Sequence, residues 1–302
     1  MNTILPPLLQ KNDKIAIISS ARKINKSDLQ IASQLFNSWG LEVVFGKTID
    51  AEYNQFAGDD HLRAEDLQTM IEDKQIKAIF FAKGGYGSVR ILDKINWKIL
   101  QKNPKWLIGY SDVTAILIHT YYNIGIASVH GIMPINILNL DNSIAKSSLH
   151  DILFNGKNEI IVKSHPLNKL GTTQGELIGG NLSVIYSLLG SNSFLSTNNK
   201  ILFIEDLDEY LYHIDRMMQA LKRANKLKNL RALLVGQMTD MHDNNIPFGK
   251  TPYEIISEVA NEYNFPVAFN LNIGHIGEDN HAFIHGLNTT IEITKDKVVI
   301  KQ

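Results

Sequence analysis

The chain has 302 residues, 44% of them hydrophobic and 20% charged, with 30 Lys and Arg against 31 Asp and Glu. That composition leaves room for two hydrophobic cores and excludes a disordered chain; no apolar stretch approaches the roughly 18 residues that span a bilayer. A formal net charge of -1 offers no field to attract nucleic acid, and the absence of cysteine removes disulfides, thiolate metal sites and a cysteine nucleophile.

The opening MNTILPPLLQKNDK has an apolar patch too short and too proline-broken for a secretory leader, so the cytoplasm is the expected compartment. KIAIIS (14–19) then reads as a strand. A helix follows, with Ser27 as its expected N-cap, Gly40 as its stop, and Ala32, Leu35, Phe36 and Trp39 on one face. LEVVF (41–45) is the next strand, RAEDLQTMIED (63–73) the next helix, and IKAIFFAK (76–83) the next strand. WLIG (106–109) leads to a helix beginning near Val113. Strand-helix-strand units with fully apolar strands predict a doubly wound, flavodoxin-like or Rossmann-like parallel-sheet domain over residues 1–138.

A polar connection is expected at 139–170, and a second domain at 171–302. There ILFIED (201–206) reads as a strand, IDRMMQALKRA (214–224) as a helix and RALLVGQ (231–237) as a strand. Thr251, Pro252 and Glu254 in TPYE form a helix-start signature. HAFIHGLNTTIEITKDKVVIK alternates like a strand meander, which predicts a barrel-like α+β domain.

Four segments can carry chemistry. IGYSDV (108–113) ends an apolar strand, presents Ser111 and opens a helix at once. Ser111 either caps that helix, the common use of serine, or is a nucleophile whose oxyanion would meet the free N–H groups of the first helical turn. Val113 stands where a full G-x-S-x-G elbow has its second glycine. AKGGYGSVR (82–90) permits close backbone approach to a ligand, but its spacing matches neither the dinucleotide fingerprint nor the P-loop. It is a structural turn, a phosphate cradle, or part of an oxyanion hole. The last reading requires strands 76–82 and 106–109 to be neighbours, so that the Gly84–Gly85 amides join that of Asp112.

His275, in NLNIGHIGEDN, occupies a loop after an apolar strand and is a candidate base. His281 and His285 fall on one face of the next strand-like run but too far apart to ligate one ion without help, and no helical HExxH exists, so no metal is expected. ILFIEDLDEY offers Glu205, Asp206, Asp208 and Glu209. Glu205, at the end of the apolar run, is best placed to orient a histidine; its alternative is a solvated strand-end charge.

In order along the chain, KNDKIAIISS, FAGDDHLRAEDL, KGGYGSVR, IGYSDVTAIL, SVHGIMP, GELIGGNLSVIYSLLGS, LFIEDLDEYLYHIDRMM, LLVGQMTD and NIGH resemble the serine L,D-carboxypeptidase family. That family includes murein tetrapeptide carboxypeptidases and microcin C immunity proteins. The resemblance implies a Ser-Glu-His triad across an interdomain cleft, with Ser111 as nucleophile, Glu205 as orienting acid and His275 as general base. It implies an oxyanion hole from the amides of Asp112 and Gly85. It also implies no cofactor, a small muropeptide substrate and a homodimer, with no nucleic-acid or membrane partner. Asn181, in GGNL at an expected helix start, is read as lining the cleft or capping that helix. Two departures bear on substrate preference: Lys83 stands where family members carry arginine, and Phe283-Ile284-His285-Gly286 replaces a leucine-proline-leucine-glycine run. Release of D-alanine from a murein tetrapeptide is the expected activity. A peptidyl-nucleotide hydrolase conferring immunity and a non-catalytic nucleotide-binding module are the alternatives.

Overall fold

Strands that are apolar along their whole length need cover on both faces, and the amphipathic helices between them supply it. In the computed structural model, which describes residues 3–302, β1 (Lys14–Ile18), β2 (Glu42–Phe45), β3 (Ile76–Phe81), β4 (Trp106–Gly109) and β5 (Ser128–His130) form a parallel sheet. Their spatial order is β2-β1-β3-β4-β5. Helices α1 (Gln30–Ser38), α2 (Asp60–Glu72), α3 (Ile99–Lys102) and α4 (Thr114–Ile124) connect them. Ala32, Leu35 and Phe36 of α1 pack on one sheet face, and Leu67, Met70 and Ile71 of α2 on the other. The first helical segment starts earlier than expected, as a 3-10 turn over Lys26–Leu29 with Asn25, not Ser27, at its N-cap.

The stretch 139–170 is more than a connection. It carries α5 (Ile144–His150), whose Ala145 and Leu149 join the core beside β1 and β5, and then β6 (Glu159–Lys163). Burial of those apolar side chains holds it against the first sheet. The remaining elements are β7 (Gly171–Asn181), α6 (Leu182–Ser187), β8 (Lys200–Leu207), α7 (Leu211–Arg223), β9 (Ala232–Thr239), α8 (Pro252–Ala260), β10 (Val267–Ala268), β11 (Phe283–His285), β12 (Asn288–Ile293) and β13 (Lys297–Lys301). The Thr251 capping box that opens α8 is present.

The second sheet has seven strands in the order β10-β9-β8-β7-β12-β13-β6. β7 to β10 run parallel, whereas β12 pairs antiparallel with both β7 and β13, and β13 with β6. The sheet curls without closing: β6 and β10 do not pair, but the β6–β7 connection reaches the far edge, where Lys169 and Val267 exchange N–H···O bonds of 2.9 and 3.1 Å. Barrel-like thus means a mixed, curled sheet with two edges.

β11 is the exception to the expected meander, because it leaves the second half and adds antiparallel to β5. Its His285 is fully buried against Tyr121, with ring centroids 5.5 Å apart. The Phe283–Gly286 departure is therefore a matter of interior packing. Among the described residues, no helix is long and apolar enough to cross a membrane.

Candidate active site

β3 and β4 are parallel neighbours, with Ile79 opposite Leu107 and Phe80 opposite Ile108, so the turns that follow them lie side by side at the carboxyl edge of the sheet. Ser111 takes φ +59°, a left-handed conformation uncommon outside glycine, and starts a 3-10 turn over Ser111–Val113 that runs into α4. A non-glycine residue held there costs on the order of 1–3 kcal/mol and is common at functional turns. Tyr110 stands at the N-cap of that turn and Val113 at that of α4, so the capping reading does not describe Ser111.

Gly84 packs directly on this serine: a Cβ on Gly84 would lie 3.1 Å from Ser111 Cβ and 3.2 Å from its Oγ. The two turns are tied together by the buried carboxylate of Asp112, which accepts the Ser88 N–H at 2.8 Å. Burial raises the Asp112 pKa, opposed by hydrogen bonds from Ser88 and Gly87 and by the Arg63 charge. Arg63, itself fully buried, donates to the carbonyls of Ser20 at 2.6 Å and Gly87 at 3.0 Å. The glycine loop is thus held from beneath by charge-assisted bonds.

The other half of the site comes from β8. Its pairing with β9 shifts register between Ile204 and Asp206, a bulge that re-aims the intervening side chain. Glu205 is fully buried, and its Oε2 accepts Nδ1–H of His275 at 2.7 Å. Burial works against a charged imidazole, but the charge and hydrogen bond of Glu205 outweigh it, and the His275 pKa is raised. The imidazole also packs on Tyr110, with ring centroids 4.8 Å apart.

Asp206, also buried, accepts Asn181 Nδ2–H and Ser183 N–H, both at 2.8 Å. Burial and the adjacent Glu205 raise its pKa to about 7. Asn181 serves two structural ends at once: its Oδ1 caps α6 by accepting the Val184 N–H at 3.1 Å, and its amide holds Asp206. Its backbone N–H donates to Thr114 Oγ1 at 3.0 Å, joining the second sheet to the start of α4.

Ser111, His275, Asp112, Asn181, Gly84 and Gly85 line one cleft of about 510 Å³. Ser111 and His275 share no hydrogen bond among the described residues, though both line this cleft. A larger hollow of about 1090 Å³, lined by Leu8, Phe154 and Lys301 among others, contains none of these side chains. His281 opens onto that hollow and His285 is interior. Sequence reasoning noted Asp206 but passed over it, and it missed Arg22, which also lines the cleft. The acid doublet at the end of an apolar strand was a usable signal for Asp206; nothing in spacing marked Arg22.

Residues 15–131 match the LD-carboxypeptidase N-terminal domain, and residues 174–291 match the LD-carboxypeptidase C-terminal domain. A probable murein peptide carboxypeptidase of Bacillus subtilis (strain 168) is 33% identical over 278 residues, covering 89% of this chain and 86% of the relative. The crystal structure of muramoyltetrapeptide carboxypeptidase from Oxalobacter formigenes superposes with a TM-score of 0.88 at 24% identity, over 95% of this chain and 98% of that one. The microcin C7 self-immunity protein in complex with aspartyl sulfamoyl adenosine has the same fold, with a TM-score of 0.86 at 21% identity over 99% and 98% of the two chains.

Proposed function

This chain belongs to the LD-carboxypeptidase family and is a peptidase, and we propose that it is a serine carboxypeptidase that releases the terminal D-alanine of a murein tetrapeptide by cleaving an L,D-peptide bond. The observation that carries the serine mechanism is the 2.7 Å bond between His275 and the buried Glu205, in the same cleft that Ser111 faces.

In this reading Glu205 holds Nδ1–H and leaves Nε2 free to accept a proton. As Ser111 Oγ attacks the scissile carbonyl carbon, its proton passes to Nε2, and the tetrahedral oxyanion is met by the amides of Asp112 and Gly85. Collapse breaks the C–N bond, and the imidazolium returns the proton to the departing amine of D-alanine. Water, deprotonated by His275, then attacks the ester and frees the shortened peptide and the serine. A role in murein recycling follows from that substrate.

The test is release of D-alanine from a murein tetrapeptide by the purified protein and by its Ser111→Ala variant, with an aminoacyl sulfamoyl adenosine as the competing substrate. Tetrapeptide turnover that disappears in the variant is expected. Turnover that survives, or turnover of the adenylate alone, would reject the proposal.

A further inference from the structure

A carboxypeptidase has to find the end of its substrate. From the scissile carbonyl carbon to the carboxylate carbon of a single departing residue is less than about 4 Å, so the group that reads the terminus must stand beside the nucleophile.

The cleft is polarised. One wall carries Asp206, Asp208 and Glu209 from the end of β8, and the other carries Arg22 and Lys83. The acidic wall already has partners: His242 Nε2 meets Asp208 at 2.5 Å and His213 Nδ1 meets Glu209 at 2.5 Å. The paired carboxylates of Asp208 and Glu209 offer a substrate carboxylate no hydrogen-bond donor. On the basic wall, the neighbouring cations are committed, Lys23 to Glu52 and both Arg63 and Arg90 to Asp60. Arg22 and Lys83 hold no carboxylate among the described residues.

Their positions are built rather than incidental. The Arg22 backbone is fixed, since its carbonyl accepts the Ser19 hydroxyl at 2.6 Å and the residue bridges to Phe56. Its side chain runs across Gly85, which has φ +108°; a Cβ there would lie 2.5 Å from Arg22 Cδ. Only glycine allows that approach. Gly85 follows Gly84, which touches Ser111, and Lys83 precedes it, and both cations line the same cleft as Ser111.

We propose that Arg22 and Lys83 are the seat of the substrate's terminal carboxylate and so set the exopeptidase specificity. The inference rests on the peptidase reading of this cleft. Arg22 supplies directional N–H donors and Lys83 a second positive charge, both beside the proposed oxyanion hole.

The test compares a tetrapeptide bearing a free terminal carboxylate with the same peptide ending in a carboxamide, using the full chain and its Arg22→Gln, Arg22→Lys and Lys83→Gln variants. Wild type should prefer the acid. Arg22→Gln should lower kcat/KM for the acid roughly 10- to 100-fold, mainly through KM, and collapse the acid-to-amide preference. Lys83→Gln should do the same to a smaller degree, and Arg22→Lys should keep most of the preference. An acid-to-amide ratio unchanged in both glutamine variants would overturn the assignment.

Calorimetric titration of the two peptides into Ser111→Ala, with and without Arg22→Gln, separates this claim from the catalytic one. Absence of D-alanine release by wild type defeats the peptidase proposal. Equal affinity for acid and amide, or no binding of either, defeats the carboxylate seat.

Discussion

The ends of β4 and β8 bring their groups to one cleft by different physical means. After β4 the device is backbone conformation: Ser111 sits at φ +59° with Gly84 against it and Asp112 pinning the neighbouring loop. After β8 the device is electrostatic: a bulge buries two consecutive carboxylates, one held by an imidazole and the other by Asn181 and a backbone N–H. The first end should respond chiefly to changes of shape. The second should respond to both charge and pH.

The largest effect is expected at Ser111, where it also tests strain. Ser111→Gly should lower kcat/KM by roughly 10⁴-fold or more while raising stability by about 0.5–1 kcal/mol in chemical denaturation, because glycine adopts positive φ without cost. A destabilised Ser111→Gly protein would show that the turn stores no strain.

Glu205→Gln should cost roughly 10³- to 10⁴-fold in kcat/KM and change the pH profile as well. The base must be neutral, so activity falls as pH drops through the His275 pKa, which Glu205 holds above the ordinary imidazole range. Without that charge, burial dominates and the acid limb should move to lower pH. An unmoved limb in the pH–rate profile would separate Glu205 from His275.

Gly84→Ala is the steric counterpart. The new methyl would crowd Ser111 Cβ at 3.1 Å, and a misplaced nucleophile costs roughly 10- to 100-fold in kcat/KM. Its acid limb should coincide with that of wild type, which is the contrast with Glu205→Gln.

At Asp206 the change is in stability and leaves catalysis aside. Folding raises its pKa from 3.8 to about 7, so the folded chain holds this proton more tightly than the unfolded chain does. The resulting stabilisation is fully present below about pH 4 and is lost as pH rises towards 7. Asp206→Asn removes the titration. Relative to wild type, the variant should therefore gain about 2–4 kcal/mol between those pH values when denaturation is followed across the range. A pH-independent difference would mean that Asp206 does not titrate there.

Much of the first sheet was legible because its signals are local. Continuous apolar runs such as IKAIFFAK and the one-sided face of α1 mark elements wherever they occur. The adjacency of β3 and β4, on which the pairing of the glycine turn with Ser111 depends, was an expectation that pairing of Ile79 with Leu107 bears out. The strand FIH was legible as a strand but not as a member of the first sheet, since an antiparallel edge can be completed by any extended apolar segment that arrives there. Arg22 was illegible for a similar reason. An exposed arginine in a loop has no local signature until another segment, here Gly85, comes to lie beneath it.

By itself the sequence determined the alternation of elements, the glycine turns and the chemical types available to the cleft, because periodicity and turn chemistry act over a few residues. Only the tertiary structure decided which carboxylate meets His275, where β11 pairs and which cations flank Ser111. Those are contacts between residues distant in the chain, such as Glu205 and His275, 70 positions apart, and they depend on how a bulge and a curled sheet aim side chains rather than on what the side chains are.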